Sequence, residues 1–358
     1  MSAPALSRYG ATRREVDALL ADWDEPAYRA RQVWEGLYTE ARPLADITTL
    51  PAKLRARLDD ALPLTLDRVT EATAADDLTT KWLWECTRDG AQIETVLMRY
   101  PTRATVCVSS QAGCAMGCTF CATGQAGFER HLDPSEIVEQ VLRAAHASPQ
   151  RVRNVVFMGM GEPLANYDAM WAAVERLHDD VGISARRITV STVGVVPGIR
   201  RLARERLPVT LAVSLHAATD ERRSELVPLN RRYPIAEVLD AAVDYAGARG
   251  RRISFEYACI AGTNDSTDEA EALGRLLGGF PGAGGAHVNL IPLNPTAGFG
   301  GVATATPRLR AFADRLRAHG ITATVRRNRG TDIAAACGQL RARDAIPRDT
   351  RGSVTMAR

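Results

Sequence analysis

From Thr105 onward, short apolar runs alternate along the chain with stretches of helical periodicity. The runs are TVCVSS, NVVFMG, RITVST, TLAVSL, ISFEYAC, HVNLIPL and ATVRRN, and the candidate helices between them include SEIVEQVLRAAH and IAEVLDAAVDYAGARG. Repeated strand and helix units favour a parallel sheet, either doubly wound or curled into a barrel. The sequence therefore predicts an α/β fold.

The conspicuous polar groups of this region all follow the apolar runs. They are the cysteine loop after the first run, Gly161-Glu162-Pro163, Ser191-Thr192, Ser214-Leu215-His216 and Asn294-Pro295. Active sites of parallel barrels are built at the carboxyl ends of the strands. This placement favours the barrel and predicts a site at that end.

The region before Thr105 has a different pattern. Residues 11–62 show helical periodicity, and TTKWLWECTRDGAQIETVLMRY alternates around an RDG turn, which is typical of a β-hairpin. We predict a small helical domain over 1–75, a connecting hairpin over 76–104, a barrel domain over 105–345 and a tail over 346–358.

Composition sets wide limits on function. The formal net charge is +3, and all but two of the 45 basic residues are Arg, which permits nucleic-acid binding without indicating it. No secretory leader and no apolar run of about 18 residues is present, so we expect a cytoplasmic protein without membrane contact. In a reducing cytosol, seven cysteines predict metal binding or catalysis rather than a disulfide framework.

Four of these cysteines fall within CVSSQAGCAMGCTFC, at positions 107, 114, 118 and 121. A structural zinc site needs four ligands, which Cys107 could complete. An iron–sulfur cubane held by Cys114, Cys118 and Cys121 would leave one iron without a protein ligand. Inert thiols are the third interpretation.

CAMGCTFC resembles the C-x3-C-x2-C signature of the radical S-adenosylmethionine (SAM) enzymes. Further along the chain, VFMGMGEPLAN, STVGVVPGIR, AVSLHA, LIPLNP and RGTDIAAACGQL resemble, in this order, the RlmN family of adenine C2 methyltransferases. The resemblance covers nearly the whole chain. It implies a partial (β/α)6 barrel similar to a TIM barrel, one [4Fe-4S] cluster on Cys114, Cys118 and Cys121, and SAM as cofactor.

The resemblance also implies the reaction. Its substrates would be adenosine 2503 in the peptidyl-transferase centre of 23S ribosomal RNA and adenosine 37 of transfer RNA, each methylated at C2. Cys337 would carry a methyl group from one SAM while a second SAM supplies the radical, so that two are consumed per turnover. Glu94 would accept the C2 proton, and Cys107 would release the product by forming a disulfide bond with Cys337.

The same resemblance implies that the residues at the strand ends line the SAM site. They are Gly161, Glu162, Ser191, Ser214, Leu215, His216 and Asn294. Leu293 departs from relatives that have an aromatic residue there, which weakens a stacking role at this position. A flavodoxin or ferredoxin would supply electrons, and we expect a monomer.

Contacts with RNA are least defined by the sequence. Candidates are the RRNRG segment at 326–330 and the arginines of the N-terminal region, Arg13, Arg14, Arg29, Arg31, Arg55 and Arg57, each of which could equally belong to a solvated charged face. Three other functions stay open: methylation of C8 of the same adenosine, as in Cfr, a zinc-dependent RNA-binding protein, and a radical SAM enzyme with a different substrate.

Overall fold

The computed structural model describes residues 6–281 and 285–340 of the chain. The predicted tail at 346–358, and residues 341–345 of the predicted barrel domain, lie outside the described residues. Within the described ranges the fold is mixed α/β, with an antiparallel part followed by a parallel sheet, as the sequence predicted.

The N-terminal region begins with three helices, which are α1 (Arg13–Ala21), α2 (Tyr28–Trp34) and α3 (Ala52–Ala61). A capping box starts α1: the backbone N–H of Thr12 donates to Glu15 (2.7 Å) and that of Glu15 to the Thr12 hydroxyl (3.2 Å). Val16 and Leu20 of α1 are buried in the core that continues into the sheet. The helices are thus packed onto the rest of the molecule.

Four antiparallel strands follow, namely β1 (Leu66–Thr73), β2 (Thr79–Cys86), β3 (Gln92–Tyr100) and β4 (Arg103–Cys107). The predicted hairpin is confirmed as β2 and β3, in which Leu83 pairs with Glu94 and Lys81 with Val96. β1 was not predicted. It is an edge strand with mostly exposed side chains, so its sequence LDRVTEAT lacks the apolar alternation of a half-buried strand.

The remaining elements come in chain order after β4. They are β5 (Gln111–Gly113), α4 (Ala122–Ala126), β6 (Phe128–His131), α5 (Pro134–His146), β7 (Val152–Phe157), α6 (Tyr167–Asp179), β8 (Ile188–Thr192), α7 (Val196–Leu202), β9 (Thr210–Ser214), α8 (Asp220–Leu226), α9 (Ile235–Arg249), β10 (Ile253–Cys259), α10 (Thr267–Leu277), β11 (Ala286–Pro292), α11 (Thr306–Ala318) and β12 (Thr322–Val325).

One sheet contains ten of these strands, in the order β1-β2-β3-β4-β7-β8-β9-β10-β11-β12. From β4 to β12 all neighbours are parallel. The six strands β4 and β7–β11 match the six units implied by the resemblance, and β12 corresponds to the last predicted apolar run, ATVRRN. Over the described ranges β1 and β12 are the two edges, so the sheet stays open.

The parallel arrangement brings the carboxyl ends of consecutive strands to one edge of the sheet. A second, two-stranded sheet pairs β5, directly before the cysteine loop, with β6, which follows α4; in it Gln111 pairs with His131. In residues 6–281 and 285–340, no helix has both the length and the apolar character for crossing a bilayer.

Candidate active site

One cavity opens at the carboxyl edge of the parallel sheet. Its walls come from the cysteine loop, from the ends of five strands and from the loop that carries Cys337. The strand ends contribute several residues that the sequence predicted for the site. They are Gly161-Glu162 after β7, Ser191 on β8, Ser214 and His216 at β9, and Asn294 after β11. The predicted common edge is therefore the site of the cavity.

Cys114, Cys118 and Cys121 all line this cavity from the loop between β5 and α4. The loop is held by backbone hydrogen bonds from Cys114 N–H to the Gly127 carbonyl (2.7 Å) and from Cys121 N–H to the Cys118 carbonyl (3.2 Å). Gly113 has φ +73°, and an added Cβ would come within 2.1 Å of the Gly127 oxygen. The backbone thus fixes the three thiols on one wall.

The three thiols match the donor set of an iron–sulfur cluster. Over the residues that the structure describes, no group of three His, Cys, Asp or Glu side chains is arranged to hold one metal ion. Soft thiolates with one sulfur per iron are the donor set of iron–sulfur clusters. Burial raises the pKa of Cys114 to about 12 and raises that of Cys118 well above its ordinary value, so cluster binding would have to displace protons.

Gly161 and Glu162 form a tightly held turn after β7. Gly161 has φ +99°, and an added Cβ would lie 2.6 Å from Cβ of Gln111. The Glu162 carboxylate accepts hydrogen bonds from the backbone N–H groups of Leu164 (3.0 Å) and Val193 (2.9 Å). Burial raises the pKa of Glu162 to about 7, while these hydrogen bonds oppose the shift. A cationic amine beside this carboxylate would favour its charged form.

The end of β9 contributes residues with different surroundings. Ser214 and His216 line the cavity, whereas Leu215 is fully buried in the core and is not part of the cavity wall. His216 has φ +64°, and its Nδ1 accepts a hydrogen bond of 3.0 Å from the Ala258 N–H. Burial, with a contribution from Arg223, lowers the pKa of His216 to about 3, so the ring is neutral.

The loop that carries Cys337 lies against the cysteine loop. The Ala122 N–H donates to the Gly338 carbonyl (2.7 Å), and the Thr123 hydroxyl donates to the Leu340 carbonyl. The Asn294 amide donates to the Cys337 carbonyl (2.9 Å). Asn294 therefore positions this loop in the structure, in addition to lining the cavity.

Cys107 and Cys337 line a second, smaller cavity together with Val96 and Arg326. Burial and the nearby Cys337 raise the pKa of Cys107 to about 12, and Arg326 opposes this shift. The predicted disulfide bond is not supported: Cys107 and Cys337 are both free thiols. Because Cys337 lines both cavities, it connects the cysteine loop with Cys107.

Glu94 lies beside these cavities but is fully buried and contributes to neither wall. Its Oε1 is 3.0 Å from Nζ of Lys81, which is also fully buried. The main-chain oxygen of Glu94 accepts a hydrogen bond of 2.6 Å from the Ser109 hydroxyl. The sequence predicts a role for Glu94 but does not indicate Lys81 as its partner.

Other side chains of the site were missed. Glu256, on β10, lines the large cavity and is buried with hydrogen bonds from Asn289 (2.7 Å) and Ser254 (2.8 Å). An acidic residue within the apolar run ISFEYAC was a signal for it. Arg223 is fully buried and holds the carbonyls of Leu215 (3.0 Å) and Ser214 (3.2 Å), which no local pattern indicates.

The candidate RNA contacts are in part engaged within the protein. Arg57 stacks on the ring of Trp23 at 4.0 Å, and Arg55 donates to the Ala45 carbonyl at 2.7 Å. Arg326 reaches the cavities, and Arg329 lies 4.4 Å from the ring centre of Tyr100. The 326–330 segment thus adjoins the site, as its position before Cys337 requires.

Comparison with known proteins gives three findings. The model of the Radical SAM superfamily matches residues 108–273. A "Probable dual-specificity RNA methyltransferase RlmN" of Parafrankia sp. (strain EAN1pec) is 54% identical over 356 residues, which cover 94% of this chain and 91% of that protein. A protein of the same description from Chloroflexus aurantiacus is 50% identical over 350 residues, with 94% and 93% covered.

A solved structure has the same fold as this chain. It is that of a radical SAM methyltransferase from Sphaerobacter thermophilus, with a TM-score of 0.87 and 50% sequence identity. The match covers 94% of this chain and 99% of the other.

Proposed function

Because the chain belongs to the RlmN family of dual-specificity radical SAM RNA methyltransferases, we propose that it methylates C2 of adenine in 23S ribosomal RNA and in transfer RNA. The ribosomal target would be the adenosine of the peptidyl-transferase centre. The observation that carries the proposal is the position of Cys337, which lines one cavity with the three clustered thiols and a second cavity with Cys107.

The chemistry of adenine C2 requires such a thiol. This carbon lies between two nitrogens, is electron-poor and has no lone pair, so it cannot attack the electrophilic methyl group of SAM. The methyl group must first be attached to a nucleophile on the protein and then be activated there. Thiolate is the strongest nucleophile among side chains near neutral pH, and Cys337 faces the cavity where SAM would bind.

Cys114, Cys118 and Cys121 would hold a [4Fe-4S] cluster, which three thiolates leave with one open coordination position. With SAM bound there, such a cluster would supply the single electron needed to split the sulfonium, and this would make hydrogen abstraction from a methyl group possible. Glu162 would bind the amine of SAM, and the backbone at Gly161 permits its close approach. Ser191, Ser214, His216 and Asn294 would supply the remaining polar contacts, whereas Leu215 is buried outside the cavity wall and would not contact SAM.

The chain's own groups account for the later steps. Once the carbon attached to the Cys337 sulfur has joined adenine C2, the RNA is covalently bound to the protein. Glu94 would accept the proton from C2 as the radical adduct gives up one electron, which would return to the cluster. Cys107, which lines the smaller cavity with Cys337, would then attack the Cys337 sulfur: a transient disulfide bond would form, the sulfur–carbon bond would break, and the carbon would keep its electron pair and take a proton as the methylated RNA leaves. Two electrons from the donor protein would return both cysteines to free thiols. Cys107 must lose its own proton first, and Arg326 is the nearby cation that favours its thiolate.

The proposed reaction also has a stoichiometry and requires partners. One SAM would be used to methylate Cys337 and one to activate the methyl group. Electrons would come from a flavodoxin or ferredoxin, and the enzyme would act as a monomer in the cytoplasm, where its RNA substrates are. S-adenosylhomocysteine and 5′-deoxyadenosine, each formed once per methylated adenine, would verify the stoichiometry.

Trapping of the covalent species tests the proposal. The cluster-loaded Cys107→Ala variant, incubated anaerobically with SAM, reductant and RNA, should accumulate RNA bound to the peptide that contains Cys337. Cys86→Ala removes a buried thiol on β2 that lines neither cavity and should turn over like the native protein. Release of methylated RNA by Cys107→Ala at the native rate would contradict the proposed role of Cys107.

A further inference from the structure

Lys81 is exceptional in this chain. It is one of only two lysines among 45 basic residues, and its side chain is 0% exposed, whereas the other, Lys53, lies on the surface of α3. Lysine is almost never fully buried unless it is paired. A buried ammonium in a chain that otherwise uses arginine indicates a specific role.

Two contacts of Lys81 connect separate parts of the site. Its Nζ lies 3.0 Å from Oε1 of Glu94 on β3. The same Nζ donates a hydrogen bond of 3.1 Å to the carbonyl of Ala334, three residues before Cys337 in the chain. Ala334 has φ +50°, so the loop makes a left-handed turn at this contact.

The strand register explains why these groups meet. Lys81 pairs with Val96, and Glu94 lies two residues before Val96 on β3, so all three side chains are on the same face of the sheet. Val96 also pairs with Cys107 on β4 and lines the smaller cavity with Cys107 and Cys337. Lys81 and Glu94 therefore lie beside the wall where the RNA adduct would be resolved.

The contacts suit an ammonium group. Lysine presents three donors from one atom, so a single Nζ can reach a carboxylate on one element and a carbonyl on another. The guanidinium of arginine is planar and carries its donors in a fixed fork, so it would approach these two acceptors in a different geometry. This accounts for lysine at a position of an otherwise arginine-rich chain.

We infer that Lys81 is a positioning residue that orients the Glu94 carboxylate and links it to the loop carrying Cys337. The inference rests on the proposed function, in which Glu94 accepts the C2 proton of the adduct. Removal of Lys81 should then slow the loss of this proton. Methylation of Cys337 precedes that step and should depend on Lys81 much less, because Asn294 and Ala122 also hold the loop.

The test uses cluster-loaded Lys81→Met with an RNA substrate that carries deuterium at adenine C2. We expect formation of methylated RNA to fall about tenfold or more, as for loss of a charged hydrogen-bond partner. The RNA–protein adduct should accumulate, and a primary deuterium isotope effect on product release should appear or grow. Methylation of Cys337, followed by peptide mass, should change by less than about threefold.

Two further variants separate positioning from folding. Lys53→Met removes the exposed lysine and should match the native enzyme in every readout. Lys81→Gln keeps an N–H donor for the Ala334 carbonyl but removes the charge, so it should load the cluster and still show the isotope effect. In a Glu94→Gln background, Lys81→Met should slow product release little further, because its effect acts through Glu94.

The possible outcomes are distinct. A native enzyme that forms no C2-methylated adenine would overturn the proposed function and this inference with it. A native enzyme that is active, with unchanged product release in Lys81→Met, would overturn the inference alone. Equal loss of Cys337 methylation and RNA methylation in Lys81→Met and Lys81→Gln, or failure of both to load the cluster, would show that Lys81 serves folding only.

Discussion

The side-chain amide of Asn294 donates a hydrogen bond of 2.9 Å to the carbonyl of Cys337. The oxygen of the same amide accepts a hydrogen bond of 2.6 Å from Asn328, which fixes the orientation of the Asn294 side chain. Since Asn294 lies two residues after the end of β11, the rigid sheet edge determines where the proposed methyl carrier lies. Placement of reactive groups by strand ends is how parallel sheets build their sites.

Asn294→Ala should loosen the loop around Cys337. Loss of one hydrogen bond costs about 1 kcal/mol, so methylation of Cys337 should slow roughly fivefold, and amide exchange over residues 335–340 should accelerate. Peptide mass after incubation with SAM and hydrogen-exchange mass spectrometry measure the two effects. Asn154→Ala, on β7 and outside the cavity wall, is the matched control. Unchanged exchange over 335–340 would refute the positioning role of Asn294.

Cys118→Ala should abolish cluster binding. The native chain, purified without air, should be brown and contain about four iron and about four sulfide per chain. The variant should contain almost none and should make no methylated RNA, because two thiolates cannot replace three. Cys259→Ala, which removes a buried thiol from β10 outside both cavities, should keep its iron. A colourless native protein with one zinc would instead favour the zinc-binding alternative.

Gly161→Ala should lower the free energy of unfolding more than Gly90→Ala does. At Gly161 the backbone has φ +99°, and the new Cβ would meet Gln111 at 2.6 Å, whereas Gly90 has φ +75° and nothing within 4 Å. Gly90→Ala thus reports backbone strain alone, of about 1 kcal/mol. Gly161→Ala should lose about 2 kcal/mol or more of unfolding free energy and weaken SAM binding. Equal stability of the two variants, measured by urea unfolding, would count against crowding at Gly161.

His216 should remain neutral under all physiological conditions. Burial and Arg223 lower its pKa from 6.5 to about 3, so its ring resonances should not move between about pH 8 and pH 5. Below pH 6.5 the unfolded chain binds a proton that the folded chain does not, so this residue reduces stability as the pH falls towards 3. The native protein should therefore lose about 1 kcal/mol more than His216→Gln between pH 7.5 and pH 5.5. Titration of the His216 ring near pH 6.5 would contradict its burial as a neutral acceptor.

The local sequence pattern was sufficient for the parallel strands, for the β2–β3 hairpin and for the edge at which the site lies. Apolar runs predicted the parallel strands, and the polar segments Gly161-Glu162 and Ser214-Leu215-His216 marked their carboxyl ends. The cysteine spacing predicted a common loop, because C-x3-C-x2-C cannot separate its thiols widely. These features depend on periodicity and short-range spacing, which a single sequence contains.

The contacts between distant segments could not be predicted in this way. Lys81 and Ala334 are 253 positions apart, and Asn294 and Cys337 are 43 positions apart, so their pairing depends on how the loop folds back over the sheet. Leu215 shows that position within a motif does not fix the direction of a side chain, because it lies between two residues of the cavity wall but points into the core. Successive side chains at the end of a strand point to opposite sides, so the three residues of the Ser214-Leu215-His216 motif do not all face the cavity.

The most direct test of the account is the position of the methyl group in RNA labelled with deuterium at adenine C2. The chain, loaded with its cluster, is incubated anaerobically with SAM, a reductant and this RNA, and the nucleosides are analysed by mass spectrometry. The account predicts methyladenosine that has lost the C2 deuterium, with none formed by Cys337→Ala. Methyladenosine that retains the deuterium, as in methylation of C8, would contradict it.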